Sequence, residues 1–360
     1  MNEVYVSKTG PKKVISDYQK LLKKADYQKY IDKNLPVVLK LNLSWTRFYP
    51  ACSTPPWELE GVVKTLLEDG FKPSQIIPVE NRTVVTDVRQ GSENNGWLGV
   101  LKKYGLKMTY LTDVPYKIYK PKNKLLILDK IFPDGIQLPE LIFGANMIHL
   151  PTMKMHVFTT TTGAIKNYFG MLQTVRHFAH RHIHETIVDL LTIQKEIHPG
   201  IFAVMDGTVV GSGSGPRAME WHEKNYLLAS GDCVAIDAAA AKMMGFDPLK
   251  IPYLRLAQEQ DLGVADPKKI KVVGEDIEKI NFHFKKADTF ASRGQKFIYH
   301  HTPPWFEKLL LQTIIAPWSY MASNLYHDTY WYNFVGKKRI KAYMDTQWGK
   351  LFNKYLYQSQ

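Results

Sequence analysis

The run from Leu150 to His156, followed by Thr159 to Thr162 and by Gly163 to Gly170, is dense in polar groups and lies directly behind an apolar strand. Polar chain at the carboxyl end of a strand is where open α/β sheets bind ligands. Lys154 and His156 stand two apart and share a face in extended backbone, while Lys166 and Asn167 fall in the first turns of the next helix. Such a set could clamp an anion. Helix amides near Thr162 and Gly163 would add the positive end of a helix to a phosphate or carboxylate. The plainer alternative is N-capping with surface lysines.

From Val175 to His184 the chain carries His177, His180, His182 and His184, and imidazole is a common ligand for zinc, nickel, copper or iron. His177 and His180 share a helix face, whereas His180, His182 and His184 alternate as in a strand, so at most two or three converge. His184 stands out because it opens a well-formed helix that bears Asp189. Asp206 follows the apolar Ile201 to Met205 and precedes Gly207, a place from which a carboxylate binds metal or orients a base. His156, His184 and Asp206 are therefore the candidate ligands for a divalent metal, and with Lys154 the candidate catalytic groups. Gly211 to Arg217 is glycine-rich, so amides around Gly213 and Gly215 could approach a phosphate, or the segment is a lid or plain connector. It lacks the Lys-Ser/Thr ending of a P-loop and the spacing of a dinucleotide fingerprint.

The elements that must position these groups alternate between strand and helix. Helices are expected at Val14 to Ala25, Pro55 to Glu68, Trp97 to Tyr104, Thr162 to Leu172 and His184 to Glu196, with Ser230 capping another that ends at Gly245. Strands are expected at Pro36 to Leu43, Gln75 to Val79, Lys107 to Leu111, Leu125 to Leu128, Asn146 to Leu150, Ile201 to Met205 and Asn225 to Ala229. The pattern predicts an α/β fold: a largely parallel sheet with flanking helices in two interleaved lobes, followed by an aromatic-rich helical C-terminal appendage. The boundary falls where aromatics and lysines thicken, giving a core over residues 1–275 and an appendage over 276–360.

Lys and Arg outnumber Asp and Glu by 47 to 34, a net +13 that favours anionic partners. The lysines are scattered rather than gathered into a basic run, which argues against nucleic acid. Cys52 and Cys233 are the two cysteines, too few for a zinc ribbon or a cysteine-ligated iron–sulfur cluster, and a reducing compartment is the simplest reading. Residues Met1 to Lys13 lack the apolar stretch of a secretory signal, and no apolar run approaches the roughly 18 residues of a spanning helix. A cytoplasmic location follows, peripheral at the inner face of a membrane if the C-terminal segment touches lipid.

Val38 to Asn42, Ser53 to Pro55, Lys154 to His156, Thr162 to Gly170, Met205 to Gly207, Gly213 to Pro216 and Ala229 to Asp237 together resemble the domain-of-unknown-function 362 family, from about Val37 to Val273. The resemblance supplies no reaction. It implies site roles for Lys40, Asn42, Lys154, His156, Lys166, Asn167, His184, Asp206 and Asp237, although Lys40 could simply end a strand and Asp237 could serve its own helix. Family members often carry a ferredoxin-like module with cysteine-bound clusters. Here the cysteines are missing, so a redox role would need an external electron donor.

Thr302 to Trp318 and Tyr326 to Tyr332 mix aliphatic and aromatic residues ahead of Lys337, Lys338, Arg339 and Lys341. Interfacial membrane anchors have this composition. So does a tail that docks on its own core through Trp305, Phe306, Trp331 and Trp348. The function expected is an enzyme holding an anionic small-molecule or lipid-linked substrate. The alternative is a non-catalytic cofactor-binding or membrane-associated assembly protein.

Overall fold

A computed structural model describes residues 2–83, 86–173, 179–288, 293–294, 296–297, 302–303, 321 and 324–357. The strands are β1 (Glu3–Lys8), β2 (Val37–Lys40), β3 (Ile76–Glu80), β4 (Thr109–Tyr110), β5 (Tyr116–Tyr119), β6 (Ile136–Pro139), β7 (Asn146–His149), β8 (Thr152–His156), β9 (Thr160–Thr161), β10 (Ile201–Ser214), β11 (Ala218–Ser230) and β12 (Lys271–Gly274). Eight of them lie edge to edge in the order β12-β1-β11-β10-β7-β2-β3-β4. β8 joins β10 and carries β9, completing a ten-stranded sheet, while β5 and β6 form a separate hairpin. Only the β1–β11, β10–β11 and β8–β9 pairings of the large sheet are antiparallel, so it is mostly parallel.

A parallel sheet needs cover on both faces, which is why all four residues of β2 are buried. Alternation sorts the side chains: Val37, Leu39, Phe202 and Val204 enter one hydrophobic cluster, and Val38, Ala203 and Met205 the other. The first face is covered by α1 (Val14–Lys24), α2 (Pro56–Glu68) and, after α3 (Val88–Asn94), α4 (Trp97–Lys103). Beyond the short α5 (Leu128–Ile131), the second face is covered by α6 (Ala164–Asn167), α7 (Ile183–Ile197), α8 (Cys233–Met244) and α9 (Pro252–Glu259).

Three local expectations are corrected. Leu125 to Leu128 is not a strand, because the amides of Leu126, Ile127 and Leu128 all donate to the Asp189 carboxylate at 2.7–2.9 Å. Successive amides converge on one anion only in curled backbone, and the chain enters α5 there. The glycine-rich Gly211 to Arg217 is not a free loop, since Gly211, Ser212, Gly213 and Ser214 pair with Trp221, Glu220, Met219 and Ala218 in the β10–β11 hairpin. The cap of α8 is Asp232, which accepts from the amides of Val234 and Ala235, and not Ser230, whose hydroxyl donates to the Glu3 carbonyl.

The C-terminal chain docks on the α2 side. A π-helical stretch, Leu325–Gly336, leads into α10 (Lys337–Met344) and α11 (Gln347–Tyr357). Trp348 lies 5.0 Å from the Trp57 ring and donates to Asn225 at 2.7 Å, Phe352 stacks on Phe48 at 3.8 Å, and Trp331 packs between Trp45 and Tyr49. Trp305, Phe306 and most of Thr302 to Trp318 lie outside the described residues. The buried Tyr355 hydroxyl donates to Glu60 of α2. Tyr355→Phe is expected to lower stability by about 1.5–3 kcal/mol, the worth of one hydrogen bond to a charged group. An unchanged urea midpoint would show that this contact does not hold the tail. Among the described residues no helix is long and apolar enough to cross a membrane.

Candidate functional site

β8 projects Thr152, Lys154 and His156 to one side and Met153 and Met155 into the core beneath α6 to α9. Lys154 is fully buried, and its ammonium donates to the side chain of Asn42 and, at 2.6 Å, to the Cys52 carbonyl. Both acceptors are neutral. No ion pair to Lys154 occurs among the described residues. Burial lowers its pKa to about 8.

His156 ends the strand with its Nδ1 accepting from the amides of Phe158 and Thr159 at 3.2 and 3.3 Å. A ring nitrogen that accepts carries no proton, so the neutral imidazole bears its N–H at Nε2. Burial, then the positive groups Lys166, His180, Lys154 and His184, hold His156 well below its usual pKa. It is a hydrogen-bond donor rather than a base. The same tautomer disables Nε2 as a metal ligand.

Asp206 is 1% exposed and saturated: Oδ2 accepts from Tyr18 (2.6 Å) and Trp57 (3.0 Å), Oδ1 from the amide and hydroxyl of Thr208. Tyr18 and Trp57 belong to the α1–α2 face, whereas His184 stacks on Tyr253 in the cluster of the opposite face. The expected metal set of His156, His184 and Asp206 is therefore not assembled. Among the described residues no three His, Cys, Asp or Glu side chains are placed to hold a metal ion. His177 lies outside those residues. Beside Asp206 and Thr152 is a cavity of about 20 Å³ under Trp57, Tyr343 and Phe352, room for a water and not for a metabolite.

The Thr162 amide is not free either, since it donates to the Lys154 carbonyl at 2.9 Å. Asp237 of α8 accepts from the amides of Ala164 (2.7 Å) and Ile165 (3.2 Å), so an internal carboxylate already fills the positive end of α6. A Cβ on Gly163 would stand 2.1 Å from that carboxylate. Burial raises the Asp237 pKa to about 7 against its two amides. The Thr162 hydroxyl donates to the carbonyls of Thr152 and Lys154. Gly213, at φ +90°, and Gly215, where a Cβ would meet the Met155 carbonyl at 1.9 Å, serve the hairpin and not a phosphate.

Lys40, at the end of β2, is paired at 2.8 Å with Glu80 at the end of β3, both essentially inaccessible. Glu80 also accepts from the amides of Leu43 and Asn81. Asn167 donates to the Lys40 carbonyl at 2.8 Å, while its buried Oδ1 has no hydrogen-bond partner among the described residues. Lys166 is partly exposed, 5.9 Å from the Phe169 ring.

Two carboxylates escaped the sequence reading. Glu80 carried a signal, since like Asp206 it directly follows an apolar strand. Glu58 carried none: an acid in the first turn of a helix ordinarily faces water. Here it is fully buried, and burial with the neighbouring Asp206 charge raises its pKa well above the carboxylate range, opposed in part by Lys154 and the Asp206 amide.

The family described as domain of unknown function, DUF362, matches residues 37–242, more than half of the chain. The chain belongs to the DUF362 family. The match covers β2 to α8 and so includes each group described above around Lys154. A thylakoid-associated protein of Synechocystis sp. is 26% identical to this DUF362 chain over 234 residues, 63% of this chain and 68% of its own length. A crystal structure of a Thermotoga maritima protein aligns over 69% of this chain and 59% of its own at 13% identity, and its TM-score of 0.33 carries no argument.

Proposed function

We propose that this DUF362 protein is an enzyme that binds an anionic small-molecule or lipid-linked substrate against Lys154, His156 and Lys166. The observation that carries the reading is the buried ammonium of Lys154, held by two neutral oxygens, with burial favouring the neutral form of the neighbouring Glu58. An ammonium has three donors and two are used. A buried charge is costly unless compensated, and a bound oxyanion would supply both the missing acceptor and the missing charge.

The donors suit that role. Lys154, the Nε2–H of His156 and Lys166 are electrostatic neighbours and would stabilise negative charge developing on a phosphate or carboxylate. With a pKa of about 8, Lys154 can also exchange a proton near neutral pH. Both cysteines are buried thiols, so electrons for any redox step would come from an external donor.

Pyrophosphate at millimolar concentration is expected to raise the melting temperature of the full chain by several degrees, the size given by saturating a site roughly 100-fold above its Kd. Lys154→Met should abolish the shift. An equal shift in both proteins, or none in the wild type with pyrophosphate, phosphate and citrate alike, would refute the anion site.

The second reading, a membrane-associated assembly protein, draws on the thylakoid association of the Synechocystis relative. It is compatible with the first if the substrate is lipid-linked.

A further inference from the structure

Residues 325–341 present two faces of opposite character. Inward, His327 and Trp331 are buried, with Trp331 5.2 Å from the Tyr49 ring and Asp328 accepting from Trp45 at 2.7 Å. Arg339 donates to the Met219 carbonyl at 2.7 Å, and its own carbonyl accepts from Trp221 at 3.0 Å. These contacts fix the segment's orientation on the core.

Outward stand Leu325, Tyr330 and Phe334, respectively 61, 58 and 67% exposed. The rings of Tyr326, Tyr330 and Phe334 follow one another at 6.2 and 5.5 Å, each pair tilted by 38°, and form one continuous aromatic strip. The same face continues into α10 with Lys337, Lys338 and Lys341, all exposed, and none of them forms an ion pair among the described residues. Asp328 is turned inward on Trp45 and Arg47, and the exposed Asp345 closes α10 four residues after Lys341.

Large apolar side chains held outward are costly in water, and large exposed apolar patches mark interaction sites. An aromatic strip bordered by lysines matches a bilayer surface: rings settle at the headgroup level and ammonium groups meet anionic lipid. We infer that the face formed by Leu325, Tyr330, Phe334, Lys337, Lys338 and Lys341 docks the protein on an anionic lipid surface. The inference rests on the membrane-associated reading above and adds the residues and the lipid class. The net charge of +13 favours the same partner at longer range.

The test is co-sedimentation of the full chain with phosphatidylcholine vesicles, with and without phosphatidylglycerol. Binding should require phosphatidylglycerol and weaken with salt. Replacing Lys337, Lys338 and Lys341 with Gln should weaken it about 100-fold, at one Lys contact each. Leu325→Ser with Tyr330→Ser and Phe334→Ser should weaken it at least tenfold, with melting temperature unchanged because these side chains touch solvent. If the wild type binds and both triple variants bind equally, the face is wrong while membrane association stands. If the wild type binds neither vesicle, the membrane reading falls with it. Variants that keep vesicle binding but convert a dimer to a monomer in sedimentation velocity would instead assign the face to a second copy of this chain.

Discussion

Glu80→Gln is expected to destabilise the protein by about 3–5 kcal/mol, because it takes the Glu80 carboxylate away from the buried Lys40 ammonium. The Lys40–Glu80 pair is 2 and 5% exposed, so water cannot take over the role of the carboxylate. Gln keeps only one of the two oxygens that accept from Leu43 (at Oε2) and Asn81 (at Oε1), so one of these amides loses its acceptor as well and adds to the loss. A double-mutant cycle isolates it: Lys40→Met with Glu80→Gln should be more stable than Glu80→Gln alone, since the stranded charge is gone. Urea midpoints in which the double variant shows simply the sum of the two single losses would refute the pairing. The pair also ties the ends of β2 and β3 together directly beneath Gly170, where a Cβ would come within 3.2 Å of the Lys40 ammonium. Its loss should therefore loosen the turn that carries Asn167 and Lys166.

Lys154 behaves in the opposite sense. Its folded pKa of about 8 lies below its usual 10.5, so burial of the charge costs roughly 3 kcal/mol wherever both states are protonated. That penalty is fully present below pH 8. Between pH 8 and 10.5 the folded chain has shed a proton that the unfolded chain still binds, and stability rises with pH. Lys154→Met has no such proton. The stability difference between variant and wild type should consequently shift by roughly 3 kcal/mol in favour of the wild type from pH 7 to pH 10.5. Taking the difference cancels the titration of buried tyrosines common to both proteins. Denaturant unfolding at the two pH values checks this, and a difference that stays constant would mean that the folded and unfolded chains bind the Lys154 proton equally. That outcome would remove the uncompensated burial of charge on which the anion site depends.

The two variants together separate structural from functional burial of charge. Lys40 has a carboxylate, and its removal should only weaken the fold. Lys154 has two neutral oxygens, and a protein that keeps such a residue accepts an energetic penalty that a ligand can relieve.

Much of this was legible from residue order alone. A strand's two-residue period placed Lys154 and His156 on one side, and continuous apolar runs marked β2, β7 and the first half of β10 as members of a covered parallel sheet. These properties are local, set within a few residues by backbone geometry. The DUF362 motifs were equally legible, because the residues that carry them are contiguous. Helix boundaries such as Pro56–Glu68 followed from proline and glycine signals of the same short range.

What residue order could not determine was which partner each polar group would meet. Asp237 occupies the amides of Ala164 and Ile165 from a helix more than sixty residues away, and Asp189 curls a segment whose composition reads as strand. Asp206 reads as the end of an apolar strand but lies inside β10, His184 lies in the first turn of α7, and the sheet stands between them. Glu58 is buried only because α1, α2 and β10 close around it, and Trp348 is buried only because α11 folds back onto α2. Hydrogen bonding and desolvation depend on neighbours brought together by packing, so the electrostatics of this site, unlike its strands, exist only in the folded chain.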